Sequence, residues 1–254
     1  MDYKDVHLKI PIESKSYPED SHFVVGSIEA IIQNAIDEGY NKIILNTNLK
    51  LGLPMENINK IAGPIIEAWA VEIFHDIKDD LNNIFRLVNV ESRPRLDMSD
   101  ILLQFKKNDS SVTANIDVKA TAEDIVNSGK GPNITSFGRI RTAYIDDPDF
   151  MFIILSLKHK VYSERNQQTK LIDGVMEIVK YNAYDLKYIS NSDLNYNPAL
   201  GTGQIQIKDI HYVEHEYRTT WEFCQLLDSK YLHSTRRTFT DWYREAIRNK
   251  WVKE

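Results

Sequence analysis

Residues 99–120 read Ser-Asp-Ile-Leu-Leu-Gln-Phe-Lys-Lys-Asn-Asp-Ser-Ser-Val-Thr-Ala-Asn-Ile-Asp-Val-Lys-Ala. Two apolar-rich runs of strand length, Asp100–Phe105 and Val112–Lys119, are divided by the turn-forming Lys107-Asn108-Asp109-Ser110. This predicts two strands joined by a short connection. Alternate side chains of a strand share a face, so Asp117 and Lys119 point together while Val118 enters the core behind them. If the strands are neighbours, Asp100 at the head of the first comes beside Asp117. Two carboxylates in one site repel unless a cation lies between them, and hard oxygen ligands favour magnesium. A lysine next to that pair can hold or polarise an attacking water and offset phosphate charge. The same spacing also fits a solvent-facing salt bridge at strand ends, and spacing alone does not separate the two readings.

Outward from this segment, Phe85–Val90 reads as a further strand, and Phe150–Leu157 as the central one,. Upstream, 22–39 is amphipathic at helical spacing, with Val24, Val25, Ile28, Ile31, Ile32 and Ile36 on one side,. A second helical region covers 54–77, where Pro64 looks like a first-turn proline ahead of Ile65, Ile66, Trp69, Val71, Ile73 and Phe74,. A helix is expected over 134–144, a β-rich stretch over 174–213, and two closing helices near 219–230 and 238–249. No internal repeat is visible. Helices before and after a run of strands predict one mixed α/β domain with helices packed on the sheet.

The net charge of −6 argues against a nucleic-acid binder unless the charge is uneven,. Basic side chains do cluster along the chain, at Lys130, Arg139, Arg141, Lys158, Lys160 and Arg165 and again from Lys230 to Lys253. Whether they form one cationic face or a solvated surface is open at this level. The longest apolar stretch, Phe150–Leu157, is too short to span a bilayer, and the first residues carry no apolar signal core,. With Cys224 as the single cysteine, no intramolecular disulfide can form, and a reducing cytoplasm is the expected location,.

Asp100 followed by Asp117-Val118-Lys119 resembles the PD-(D/E)XK nuclease motif, in the EcoRV and HincII branch of type II restriction enzymes. Asp100-Ile101-Leu102-Leu103, Asp117-Val118-Lys119 and Pro132-Asn133-Ile134 are similar to HincII. Thr135-Ser136-Phe137 with Arg139, and Gly201-Thr202-Gly203-Gln204, resemble EcoRV. Nearly end to end, including Lys60-Ile61-Ala62-Gly63-Pro64 and the stretch from Gly129 to Ser136, the chain resembles the HpaI family. Ser99 stands where the motif's name expects proline, which departs from the pattern without touching the ligand Asp100.

The resemblance implies a restriction-endonuclease-like α/β/α core with a mixed central sheet, in one domain over 1–254 with DNA-recognition loops inserted. It implies a magnesium-dependent homodimer that cuts double-stranded DNA at a palindrome, GTTAAC with blunt ends, leaving 5′ phosphates. Asp100 and Asp117 would ligate the metal with the Val118 carbonyl, Lys119 would orient the water, and Glu67 would face the metal site from its helix. For Glu67, plain helix-surface exposure is the alternative. DNA contacts would come from Lys130, Asn133, Thr135, Ser136 and Arg139, and from a glycine-rich loop of Gly201, Thr202, Gly203 and Gln204. Asn197 and Gln204 are the amides suited to base edges, since such amides pair bidentately with adenine. A repair or junction nuclease of the same superfamily, and a non-catalytic DNA-binding protein on the same fold, are the competing expectations. His211 and His215 lie in a strand-like pattern and do not suggest a metal pair, Asp146-Asp147-Pro148-Asp149 reads as a loop, and Cys224 as packed core.

Overall fold

The protein is described here by a computed structural model covering residues 2–199 and 201–253, without the side chains of 55–57. In chain order the elements are α1 (Tyr17–Asp37), β1 (Lys42–Leu45), α2 (Met55–Asp79), β2 (Leu87–Ser92), β3 (Ile101–Lys107), β4 (Ser110–Ala122) and β5 (Asn133–Ser136). They continue with α3 (Phe137–Asp146), β6 (Phe152–Arg165), β7 (Ile172–Asp185), β8 (Leu194–Asn197), β9 (Gln204–Ile207), α4 (Thr220–Leu232) and α5 (Phe239–Arg248). Short 3-10 turns lie at Tyr3–Asp5 and Leu186–Tyr188. The strands form a six-stranded sheet in the order β1-β7-β6-β4-β3-β2 and a three-stranded sheet in the order β5-β9-β8. The fold is therefore mixed α/β, as expected.

Two compact units share the chain. One comprises 22–129 and 153–184, the other the residues up to Ser21, 130–152 and 185 onward. In the first, β3 and β4 pair antiparallel with Ile101 opposite Ile116, Leu103 opposite Ala114 and Phe105 opposite Val112. The turn between them puts Asn108 in the left-handed region at φ 54°, a conformation asparagine tolerates,. Those inward residues are buried, and Phe23 of α1 meets Phe105 edge-on at 6.1 Å. α2 packs along β2 and β4. Burying each such large apolar side chain stabilises the fold by about 1.5–3 kcal/mol, which explains why the strand alternation is so regular.

In the second unit, α3, α4 and α5 enclose a core that includes Phe137, Tyr144, Phe223, Tyr231, Trp242 and Trp251. At its centre the fully buried Arg141 guanidinium donates to the Asp228 carboxylate through Nε at 3.2 Å and Nη2 at 3.1 Å. Asp228 also accepts from Tyr3 Oη and Trp242 Nε1, both at 2.9 Å. Arg141 is thus a structural cation and no part of a cationic surface. Cys224 is buried in the same region, as its apolar neighbours predict.

Several boundaries differ from the sequence reading. Pro64 lies inside α2 and not in its first turn. A proline there forfeits one backbone hydrogen bond, yet the buried stripe of Ile58, Ala62, Ile66, Trp69, Ala70 and Ile73 runs through it, so burial outweighs the local loss,. Residues 133–136 are strand, with the helix starting only at Phe137, because Asn133, Thr135 and Ser136 pair with β9 around a bulge at Ile134. α1 starts at Tyr17, the central strand runs from Phe152 to Arg165, and β1 is an unanticipated short strand. Beyond Ile207 the expected β-rich stretch contains only isolated bridges. Among the described residues no helix is long and apolar enough to cross a membrane.

Candidate active site

Within the six-stranded unit, Asp117 and Lys119 project from the same side of β4. The Lys119 ammonium donates to Asp117 Oδ1 at 2.8 Å and lies equally close to Oδ2. Asp117 is only 4% exposed, and Oδ2 has no donor aligned on it. Asp100 sits just before β3, its backbone N–H donating to the Ile116 carbonyl at 2.9 Å. Its carboxylate Oδ2 accepts from the Val118 backbone N–H at 2.7 Å. The antiparallel register thus brings Asp100, Asp117 and Val118 together, as adjacent pairing predicts, and the burial of Asp117 excludes the simple surface salt bridge.

Burial pushes the Asp117 carboxyl up to about 7, with Asp100 and Glu67 adding repulsion that Lys119 only partly offsets. Glu67, on α2, is half-buried. Its carboxyl is likewise raised, first by burial and then by Asp100, while Lys119 pulls it down. Glu67 therefore lies within electrostatic reach of the pair and is not a plain surface residue. A surplus of buried negative charge with an undonated carboxylate oxygen is what a hard divalent cation satisfies, so the residues fit such an ion. Among the described residues no cluster of three or more His, Cys, Asp or Glu could hold a metal. The two carboxylates would therefore need backbone carbonyl, water or phosphate oxygens to complete the coordination.

The other unit carries the residues expected to touch DNA, some on the three-stranded sheet and the rest in the segments joined to it. Asn197 stands opposite Gln204, and Ser136 opposite Gln204 on the other side, while Asn133 stands opposite Gln206. Along β9, Ile205 and Ile207 are buried and Gln204 and Gln206 half-exposed, so the amides share one outward face,. Thr135 is buried and supports the strand instead of facing outward. Lys130 is exposed, with its backbone in an isolated antiparallel β-bridge to that of Asp209, and Arg139 is exposed on α3. Thr202 Oγ1 lies 2.9 Å from Ser136 Oγ and accepts from the Gly138 N–H at 3.0 Å. Tyr196 Oη donates to the Thr202 carbonyl at 2.7 Å, and Arg237 Nη2 to that of Gly201 at 2.6 Å. The glycine-rich loop is therefore stapled on several sides.

Gly203 shows why that loop needs glycine. Its φ is +88°, and a Cβ added there would run into the Tyr196 ring. Sequence reasoning passed over Gln206 and Asn195, which complete the amide face beside Asn133. The alternation Gln204-Ile205-Gln206-Ile207 was the available signal. His211 and His215 are not on a helix, and His215 packs its ring 4.3 Å from that of Tyr217. Asp149 accepts from the Ser14 N–H at 2.7 Å, and of the stretch read as a loop Asp146 closes α3 while 147–149 form the loop.

The sequence profile of the type II restriction endonuclease HpaI family matches residues 4–250. The chain is 60% identical to the type II restriction enzyme HpaI of Haemophilus parainfluenzae over 254 residues, covering all of both proteins. Among solved structures it is similar to the NlaIV restriction endonuclease, with a TM-score of 0.47 and 13% identity over 89% of this chain and 90% of that one.

Proposed function

We propose, for a chain that belongs to the HpaI family of type II restriction endonucleases and is thus a site-specific deoxyribonuclease, that it cuts the palindrome GTTAAC to blunt, 5′-phosphorylated ends. Family membership sets aside the repair-nuclease and non-catalytic alternatives. Double-stranded DNA is the substrate. The observation that carries the active-site assignment is the buried Asp117–Lys119 pair with Asp100 fastened to the Val118 N–H beside it.

Type II restriction endonucleases generally need a divalent metal, and here magnesium is the ion proposed. Asp100, Asp117 and the Val118 carbonyl would hold it. When bound, the ion supplies Lewis-acid polarisation of the phosphate and a more acidic water. Lys119, already fixed by Asp117, orients the attacking water and offsets charge building on the phosphate. Glu67 adds negative potential from α2, raising the site's affinity for cations. Attack in line with the leaving 3′ oxygen keeps the phosphate on the 5′ side. A palindrome matches a two-fold dimer in which each copy hydrolyses one strand. In this reading both units belong to one endonuclease domain, the six-stranded unit cutting and the three-stranded sheet reading, through Lys130, Asn133, Ser136, Arg139, Asn197 and the 201–204 loop. The enzyme would act in the cytoplasm, in keeping with its single buried free thiol.

The test is digestion of phage DNA with magnesium, followed by sequencing of fragment ends. Blunt ends centred on GTTAAC are expected. Ends at another sequence would overturn the site assignment, and cutting undiminished by a chelator would overturn the metal.

A further inference from the structure

The outward face of the three-stranded sheet carries two rows of uncharged polar side chains, Asn133-Gln206-Asn195 and Ser136-Gln204-Asn197. In the first row, Gln206 Nε2 donates to the Gly131 carbonyl at 3.1 Å and to Asn133 Oδ1 at 3.0 Å. A primary amide nitrogen has two N–H groups, so both are spent inside the protein. A backbone carbonyl can only accept, which fixes which end of the Gln206 amide faces inward. What remains for a ligand is therefore ordered: the acceptor Oε1 of Gln206 and the donor Nδ2 of Asn133.

A donor and an acceptor side by side have one match on the major-groove edge of a single base. Adenine presents an acceptor N7 beside a donor N6 amine, whereas guanine presents two acceptors, N7 and O6. Thymine offers one acceptor and a methyl group, cytosine one donor. We infer that Asn133 and Gln206 act as one preset unit that reads an adenine, Asn133 Nδ2 donating to N7 and Gln206 Oε1 accepting from the N6 amine. Guanine at that position would set its O6 against Oε1, two acceptors with no proton between them. Gln206 has a second role, holding Asn133 in the orientation that donates. Preset amides lose less side-chain freedom on binding than mobile ones, which sharpens discrimination.

This inference rests on the proposed cleavage of a DNA palindrome, and the experiment separates the two. Once fragment ends define the site, each adenine in it is replaced in turn by 7-deazaadenine, which lacks N7, or by purine, which lacks the N6 amine. kcat/KM is measured for the wild type, Asn133→Ala and Gln206→Met, each relative to its own rate on the unmodified duplex, so partial misfolding cannot mimic the result. At one adenine the wild type should lose about 10- to 100-fold with either analogue, the range for one good base contact. Asn133→Ala should abolish the 7-deaza penalty there and keep the purine penalty. Gln206→Met should abolish the purine penalty and also shrink the 7-deaza penalty. Analogue penalties that persist unchanged in both variants overturn the inference, as does a site without adenine. Failure to cut any duplex overturns the proposed function instead.

Discussion

Lys119 holds its ammonium 2.8 Å from both carboxylate oxygens of Asp117, and only one of those oxygens has the hydrogen of a donor aimed at it. The proposed metal ligand Asp117 is thus also the anchor of the Lys119 ammonium. Replacing Asp117 by alanine removes that ligand and the anchor of Lys119 together. Asp117→Ala should lower the cleavage rate by at least about 1,000-fold, as expected when the metal's contribution to phosphate polarisation is lost. Specific binding should survive, because the amide face is built from other residues. Gel shifts and single-turnover cleavage on one cognate duplex check this, and a variant that still cuts near the wild-type rate sinks the assignment.

The raised Asp117 carboxyl gives a pH signature. Its folded value of about 7 lies well above the ordinary 3.8. A raised value means the protonated form is favoured in the fold, so the stability it contributes is complete below about 4 and is lost as pH rises through 7. In chelator, Asp117→Asn should accordingly be more stable than wild type at pH 8, by up to about 4 kcal/mol, with the difference vanishing near pH 4. Equal urea stability at pH 8 would refute the burial argument. For catalysis the sign reverses, since the cation needs the carboxylate. Below pH 7 each unit should cost about tenfold in apparent magnesium affinity, because a single proton competes for the site. Magnesium titrations of cleavage at pH 6 and pH 7 measure that slope.

Calcium should support binding without turnover. Its larger and looser coordination shell neutralises Asp100, Asp117 and the phosphate while positioning the water poorly. Band shifts with intact DNA are the expected result, and removal of all divalent ions should abolish cutting. Efficient cutting in calcium would contradict the mechanism.

The catalytic strands were legible because a two-residue period needs only local sequence. Asp117 and Lys119 share a face by alternation alone, and the Asn108 turn fixes which strand Asp100 heads. Features that depend on a distant partner were not legible. Arg141 reads as one more surface cation until Asp228, on another helix, is placed against it. The four residues of β1 are half-exposed and too short for a periodic signal, and become a strand only by pairing with β7. Likewise Gln206 matters through its bond to Asn133, which requires the register of β5 on β9. Pro64 misled because the local rule against interior prolines was outweighed by a buried stripe spanning several helical turns.

The recognition loop contrasts two glycines. Gly201 has φ +50° and open space where a Cβ would sit, whereas Gly203 combines φ +88° with the Tyr196 ring at that place. Gly201→Ala should cost about 1 kcal/mol or less, since that region is accessible to other residues at modest strain. Gly203→Ala adds steric overlap to backbone strain and should cost about 2–5 kcal/mol. It should also break the 2.7 Å bond from Tyr196 to the Thr202 carbonyl. Urea denaturation of the two variants is the check, and equal stability would show that the loop can relax.

Asn197 and Gln204 face each other across β8 and β9 on the outward side of the sheet. Asn197 Oδ1 accepts from the Ala199 N–H at 3.0 Å, which leaves its Nδ2 as the group turned toward a ligand. Removing one good base contact costs about 1–3 kcal/mol of discrimination. In Asn197→Ala and Gln204→Ala, cleavage of the cognate duplex should therefore fall by about 10- to 100-fold relative to wild type, while cleavage of a single-mismatch duplex at the contacted pair falls much less. The salt dependence of binding should barely change, because neither amide neutralises a phosphate. The comparison requires cognate and mismatched duplexes at two salt concentrations. If both variants keep wild-type selectivity, base reading resides in the Asn133–Gln206 row alone, and the second row only shapes the surface.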